Sequence, residues 1–191
     1  MQNSLLLAIE NCMLAIEQLK TPDAMQFIEK VSQLLATCFQ SNHKVLIAGN
    51  GGSLCDATHF AEELTGFFRK KRRALPAIAL AEPGHLTCVA NDVGFDQIFS
   101  RGIEAYGQAG DVFIGLSTSG NSINLIHAFN EAKLKNMHTV AFLGKGGGKL
   151  KKIANFEWIV GEVITSDRIQ EAHMAAMHVI IEQIEWILFN S

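Results

Sequence analysis

The sequence lacks any apolar run approaching the roughly 20 residues that a bilayer span requires. It also lacks a basic start followed by an apolar stretch and a small-residue cleavage site. No membrane association and no secretion signal are therefore expected, and a cytoplasmic location is. Cysteine is sparse: Cys12, Cys38, Cys55 and Cys88 are widely spread and form no Cys-x-x-Cys pair. That usage predicts reduced core thiols. Charge is low as well, at 18% of residues with a net charge of −3, which gives no general reason to expect nucleic acid or an anionic membrane as partner. Internal repeats, low-complexity tracts and long linkers are missing. What remains is a 191-residue chain, 48% hydrophobic, long enough to bury a substantial core as a single domain spanning residues 1–191.

The apolar pattern divides this domain in two. Leu5, Leu6, Ile9, Met13, Ile16 and Leu19 recur at helical spacing. Leu7, Ala8, Cys12 and Leu14 widen that face beyond one contact surface, which predicts burial by more than one neighbour, a partner subunit included. Thr21-Pro22-Asp23 reads as an N-cap with proline at the first helical position. The helix it opens would bury Phe27, Ile28, Val31, Leu34, Leu35 and Cys38. Residues 1–42 thus form a helical extension suited to oligomer packing. From residue 43 onward, short apolar runs alternate with helical segments: Val45–Ala48, Ala77–Ala81, Val112–Leu116, Thr139–Leu143 and Phe156–Val160. Continuously apolar short strands joined by helices predict a parallel sheet covered on both faces, a doubly wound three-layer α/β/α fold with five strands. A last long helix is predicted from about Ser166 to Phe189.

In such sheets ligands sit where strands end and helices begin, and two junctions are specialised. After the first strand comes Gly49-Asn50-Gly51-Gly52-Ser53. It is either an ordinary strand–helix turn or a loop letting backbone N–H groups approach an anion. It matches neither a Walker A loop nor the Gly-x-Gly-x-x-Gly fingerprint. After the third strand comes Ser117-Thr118-Ser119-Gly120-Asn121-Ser122. N-capping needs only one hydroxyl, whereas four in six residues suit a phosphate monoester.

Between the junctions, His59 and Glu63 lie four residues apart and share a helix face. Such a pair serves as a surface interaction or, near a phosphate loop, as a proton-transfer base or metal ligand. On the last helix, Ala175, Ala176 and Met177 around His178 favour a core histidine. Gln170 and His178 are about 12 Å apart along an ideal helix, so they meet one ligand only by leaning towards it or by coming from two subunits. The basic run Arg69-Lys70-Lys71-Arg72-Arg73 reads as a solvated connector, since no aromatic residues interleave the charges as a nucleic-acid platform would require.

The strings GNGGS, HFAEELTG, AND, STSGNS and DRIQEAH, in this order and spacing, resemble the phosphoheptose isomerases, the sedoheptulose 7-phosphate isomerase branch of the sugar-isomerase (SIS) domain family. The resemblance spans essentially the whole chain. It implies a flavodoxin-like SIS domain and a homotetramer with active sites at subunit interfaces. The implied reaction converts sedoheptulose 7-phosphate to D-glycero-D-manno-heptose 7-phosphate, at the start of heptose synthesis for lipopolysaccharide. It further implies that Asn50, Gly51, Gly52 and Ser53 line the sugar phosphate site, that Asn91 and Asp92 contact the sugar, and that Ser117, Thr118, Ser119 and Ser122 hold the phosphate. Glu63 matches the family's catalytic base and His178 its partner acid/base. Zinc would be held by His59, Glu63, Gln170 and His178, and Asp167 falls at another position the family uses. One departure stands out: many relatives have arginine after Leu-Thr-Gly where this chain has Phe67. The rival is a non-catalytic SIS-domain protein of the replication-initiator-associated type, in which the second glutamate of HFAEE and the C-terminal histidine are missing. This chain keeps both.

Overall fold

The computed structural model describes residues 2–161 and 165–189. Five strands, β1 (Val45–Gly49), β2 (Ala77–Ala79), β3 (Val112–Ser117), β4 (His138–Gly144) and β5 (Phe156–Val160), form one parallel sheet in the order β2-β1-β3-β4-β5. Among the described residues seven α-helices surround it: α1 (Gln2–Glu17), α2 (Pro22–Gln40), α3 (Gly52–Thr65), α4 (Pro83–Asp92), α5 (Ile98–Tyr106), α6 (Ile123–Leu134) and α7 (Ser166–Phe189). No described helix is long and apolar enough to cross a membrane.

The predicted three-layer α/β/α architecture is what forms, and the strand sequences explain it. Alternate side chains of a strand point to opposite faces. Val45 and Ile47 join the core under α2, α3 and α7, while Leu46 and Ala48 join the core under α4, α5 and α6. Both faces are covered, so every position of β1 and β3 is apolar or small, and all are buried. The strand predicted over Ala77–Ala81 is shorter: Leu80 and Ala81 leave the ladder, although the Leu80 N–H still bonds the Ile47 carbonyl. Thr21 caps α2 as predicted, its hydroxyl accepting from the Ala24 N–H at 3.3 Å.

Two expectations need correction. Of the cysteines only Cys38 is buried; Cys12 is half-buried and Cys55 and Cys88 are exposed, because the latter two sit on the outer faces of α3 and α4. The basic run is not a solvated connector throughout, since the Arg72 side chain is 1% exposed. In one chain α1 meets α7 and leaves Leu5, Leu6, Leu7, Ile9 and Met13 open to solvent, so a second neighbour is not supplied from within.

α7 carries His173, which is fully buried. Its Nε2 bonds the Leu143 carbonyl at 3.1 Å, and its ring edges Phe142 and Trp158. Burial pushes the imidazole down to about 4, partly opposed by the Leu143 bond, so it stays neutral in the fold. An unfolded histidine titrates near 6.5. Its contribution to stability is therefore complete above pH 6.5 and is lost as pH falls towards 4, by about 2 kcal/mol at pH 5. Urea denaturation of the parent and of His173→Gln at pH 7 and pH 5 checks this. The parent should lose about 2 kcal/mol more than the variant over that interval, and equal losses would contradict it.

Candidate active site

The order in which strands are added reverses between β1 and β3, because the chain runs outward from β1 to β2 and then returns to the other side of β1. A crevice opens beyond the carboxyl ends of strands at such a reversal. Both specialised loops lie there, one following β1 and the other following β3.

The first loop turns directly into α3. Gly52 sits against α7 so closely that a Cβ would lie 2.6 Å from Gln170 Oε1, which is why glycine occupies the position. Ser53 is buried, and Gln170 Nε2 approaches its Oγ at 3.5 Å. Asn50 and Asn124 exchange reciprocal amide bonds of 3.0 and 2.9 Å. That pair ties the first loop to the start of α6, so the two loops are held as one surface. Asn91 and Asp92 form the exposed last turn of α4. The Asn91 amide donates to Asp92 Oδ1 at 2.6 Å, and Ala90 of that turn shares a small apolar pocket with Asn50 and Gly51.

In the second loop the Ser117 hydroxyl accepts from the Gly120 N–H at 3.0 Å and lies 3.3 Å from Ser122 Oγ. Ser119 Oγ accepts from the Asn121 N–H. Ser122 stands at the N-cap of α6 without making a side-chain cap bond. Thr118 Oγ1 donates to Ser166 Oγ at 3.2 Å, which joins this loop to the start of α7. Asp167 follows on an exposed turn. Thr165 and the Arg168 N–H hold its carboxyl below the usual carboxylate range.

A second cluster lies farther along the same helices. His59 Nε2 is 3.3 Å from Glu63 Oε1 on α3. The His178 ring of α7 meets the His59 ring at 5.2 Å, nearly perpendicular. One donor atom from each of His59, Glu63 and His178 falls within 4.8 Å of the others. Burial first, and the neighbouring His59 next, lower the affinity of His178 for a proton, against the pull of Glu63. Two imidazoles and a carboxylate at this spacing fit a zinc ion. Gln170, the fourth residue of the implied zinc set, stands instead beside Ser53 and Gly52.

The tail after α3 holds this cluster together. Arg72 Nε bonds Glu185 Oε1 of α7 at 2.8 Å, and its remaining donors meet the carbonyls of Glu63, Leu64 and Gly66. Glu185 also accepts from the Phe68 and Arg69 N–H groups. Phe68 in turn stacks on His178 at 5.5 Å and 15°. Phe67 is 61% exposed, and Arg69 is paired with Glu182 at 2.6 Å.

Sequence reasoning missed two polar groups near these clusters. Asp56 lies one turn before His59, and its Oδ2 is buried with no hydrogen-bond partner among the described residues. Burial raises its carboxyl to about 6, against the pull of His59. A lone aspartate on a helix carries no pattern that would reveal this. Lys145, directly after β4, places its amine 3.3 Å from Ser166 Oγ. The signal for it was the glycine run that follows, Gly146-Gly147-Gly148.

Known proteins share both sequence and shape with this chain. The SIS domain family matches residues 10–144. The phosphoheptose isomerase of Fusobacterium nucleatum is 60% identical over 161 residues, covering 84% of this chain and 82% of that protein. That of Vibrio cholerae is 52% identical over 158 residues, with 83% of each covered. Among solved structures, the phosphoheptose isomerase of Neisseria gonorrhoeae superposes with a TM-score of 0.88 at 34% identity, covering 96% of this chain and 98% of that one. The Francisella tularensis enzyme gives 0.90 at 30% identity, with 96% and 97% covered. Sequence, sheet order and helix placement agree: this chain belongs to the phosphoheptose isomerase branch of the SIS-domain family.

Proposed function

We propose that this protein is an aldose–ketose isomerase that interconverts sedoheptulose 7-phosphate and D-glycero-D-manno-heptose 7-phosphate. The observation that carries the reading is the meeting of Glu63 and His178, from helices remote in sequence, in a chain this close to phosphoheptose isomerases. The non-catalytic alternative is disfavoured by the same pair, which would have no reason to converge in a purely protein-binding surface.

The chemistry asks for two proton carriers. Isomerisation moves a proton between C1 and C2 through an enediol while the oxygen protons are redistributed. Glu63 takes the carbon-bound proton and returns it to the neighbouring carbon. His178, whose charged form burial disfavours, accepts and returns the oxygen proton. The hydroxyls of Ser117, Thr118, Ser119 and Ser122 and the N-terminus of α6 hold the phosphate. Asn50, Gly51, Gly52, Ser53, Asn91, Asp92, Asp167 and Gln170 surround the sugar. Binding the remote phosphate keeps the reacting carbons in register. His59, Glu63 and His178 would hold zinc, with Gln170 of a neighbouring copy as a further ligand. Zinc, when bound, supplies Lewis-acid polarisation of carbonyl and enediolate oxygens.

About 12 Å along α7 separates Gln170, beside the first loop, from His178. The site is completed where copies of the chain meet, in a homotetramer. The solvent-exposed leucines of α1 supply the apolar face such an assembly buries. The enzyme works in the cytoplasm, at the entry to heptose synthesis for lipopolysaccharide.

Purified protein incubated with sedoheptulose 7-phosphate should form the aldose phosphate. Glu63→Gln should lower turnover by about 100-fold or more while its thermal midpoint stays near that of the parent. Turnover close to the parent's in that variant would remove Glu63 from the mechanism. Zinc titrated calorimetrically into chelator-treated protein should bind at one ion per subunit, and His59→Ala should abolish binding. Equal binding by the variant would exclude this cluster as the zinc site.

A further inference from the structure

A phosphate monoester brings up to two negative charges, and the Ser117–Ser122 loop itself contains only hydroxyl and amide donors. A turn from another part of the chain is locked against that loop. Residues 145–148, Lys-Gly-Gly-Gly, follow β4 directly, and all four have positive φ, at 49°, 79°, 85° and 53°. Three glycines adopt such angles freely, but a lysine does not. The turn is held in place by contacts with the loop. A Cβ on Gly120 would lie 1.9 Å from the Gly147 carbonyl oxygen, and one on Gly148 would lie 2.7 Å from the Ser119 carbonyl oxygen. The Leu150 N–H bonds the Gly120 carbonyl at 2.9 Å, and the Lys149 N–H bonds Asn121 Oδ1 at 3.1 Å.

The effect of this docking is to deliver one ammonium group to the loop's mouth. Lys145 Nζ donates to Ser166 Oγ at 3.3 Å, and Ser166 Oγ accepts from Thr118 Oγ1. Its side chain is exposed, and among the described residues no carboxylate pairs with it. A cation kept at a hydroxyl-lined loop, with no acidic partner among the described residues, is available to an anion. We infer that Lys145 is the cation of the phosphate site, donating to phosphate oxygens of the bound sugar phosphate as the third wall beside the Ser117–Ser122 loop and the start of α7. This rests on reading that loop as the phosphate cradle of an isomerase.

Phosphate binding can be measured without turnover, which separates this inference from the proposed activity. Inorganic phosphate is titrated into the parent, Lys145→Met and Lys145→Arg at low and at about 0.5 M salt. A charge-assisted bond predicts roughly 10- to 100-fold weaker binding by Lys145→Met at low salt. It also predicts substantial recovery in Lys145→Arg, and a salt dependence that is steeper in the parent than in Lys145→Met. The Michaelis constant for sedoheptulose 7-phosphate should rise in step. Equal phosphate affinity in the parent and Lys145→Met, or no phosphate binding by the parent, overturns the inference. Absence of turnover by a parent that still binds phosphate through Lys145 would instead count against the proposed activity.

Discussion

A guanidinium and a carboxylate buried together, Arg72 and Glu185, hold the two long helices of the site in a fixed relation. Their side chains are 1% and 3% exposed. Removing such ions from water costs several kcal/mol each, and their attraction repays this only if the remaining polar atoms are also bonded. They are. Arg72 reaches three carbonyls at the end of α3, and Glu185 takes two N–H groups of the tail that follows. The result is a clamp between the end of α3 and α7, about two helical turns beyond His178. Phe68, carried by the clamped tail, lies flat on the His178 ring. Loss of either ion would leave the other buried and unpaired, at about 3–5 kcal/mol.

The other end of the same two helices is fixed by close approach rather than by charge. Gly52 admits Gln170, and Asn50 and Asn124 join the loops after β1 and β3. The sheet order places those two strands side by side. Helices α3 and α7 therefore connect a hydroxyl-rich, anion-receptive surface to a carboxylate–imidazole cluster. A substrate with its phosphate at one end and its reacting carbons at the other matches that layout.

Most of the architecture was legible in the sequence. β1, β3 and β4 are covered on both faces and therefore read as apolar runs, whereas β5, at the far edge of the sheet, is only partly buried and carries Glu157 within its apolar run. β2 is an edge strand of three residues, and the same criterion extended it through Leu80 and Ala81, which are apolar for other reasons. The loop residues of the site were visible because glycines and hydroxyls are concentrated there beyond what a turn needs. Contacts that depend on tertiary packing were not visible. Nothing local marks Arg72 among five consecutive basic residues as the one that is buried. Cys38 falls on the apolar face of its helix, as the spacing predicts, whereas nothing local marks Cys55 and Cys88 as facing outward. Lys145 was overlooked because its importance comes from the docking of its glycine turn on a loop 25 residues earlier.

The proposed catalysis requires one spatial relation: a sugar phosphate held through its phosphate by the Ser117–Ser122 loop presents its C1 and C2 to Glu63 and His178. A crystal structure of the assembled protein with sedoheptulose 7-phosphate bound, using Glu63→Gln to retain the ester, tests it most directly. The phosphate should lie against those serines, with C1 and C2 close to position 63 and a hydroxyl within about 3 Å of a His178 nitrogen, from the same or a neighbouring protomer. An ester bound with its reacting carbons remote from every copy of Glu63 and His178 would contradict the account.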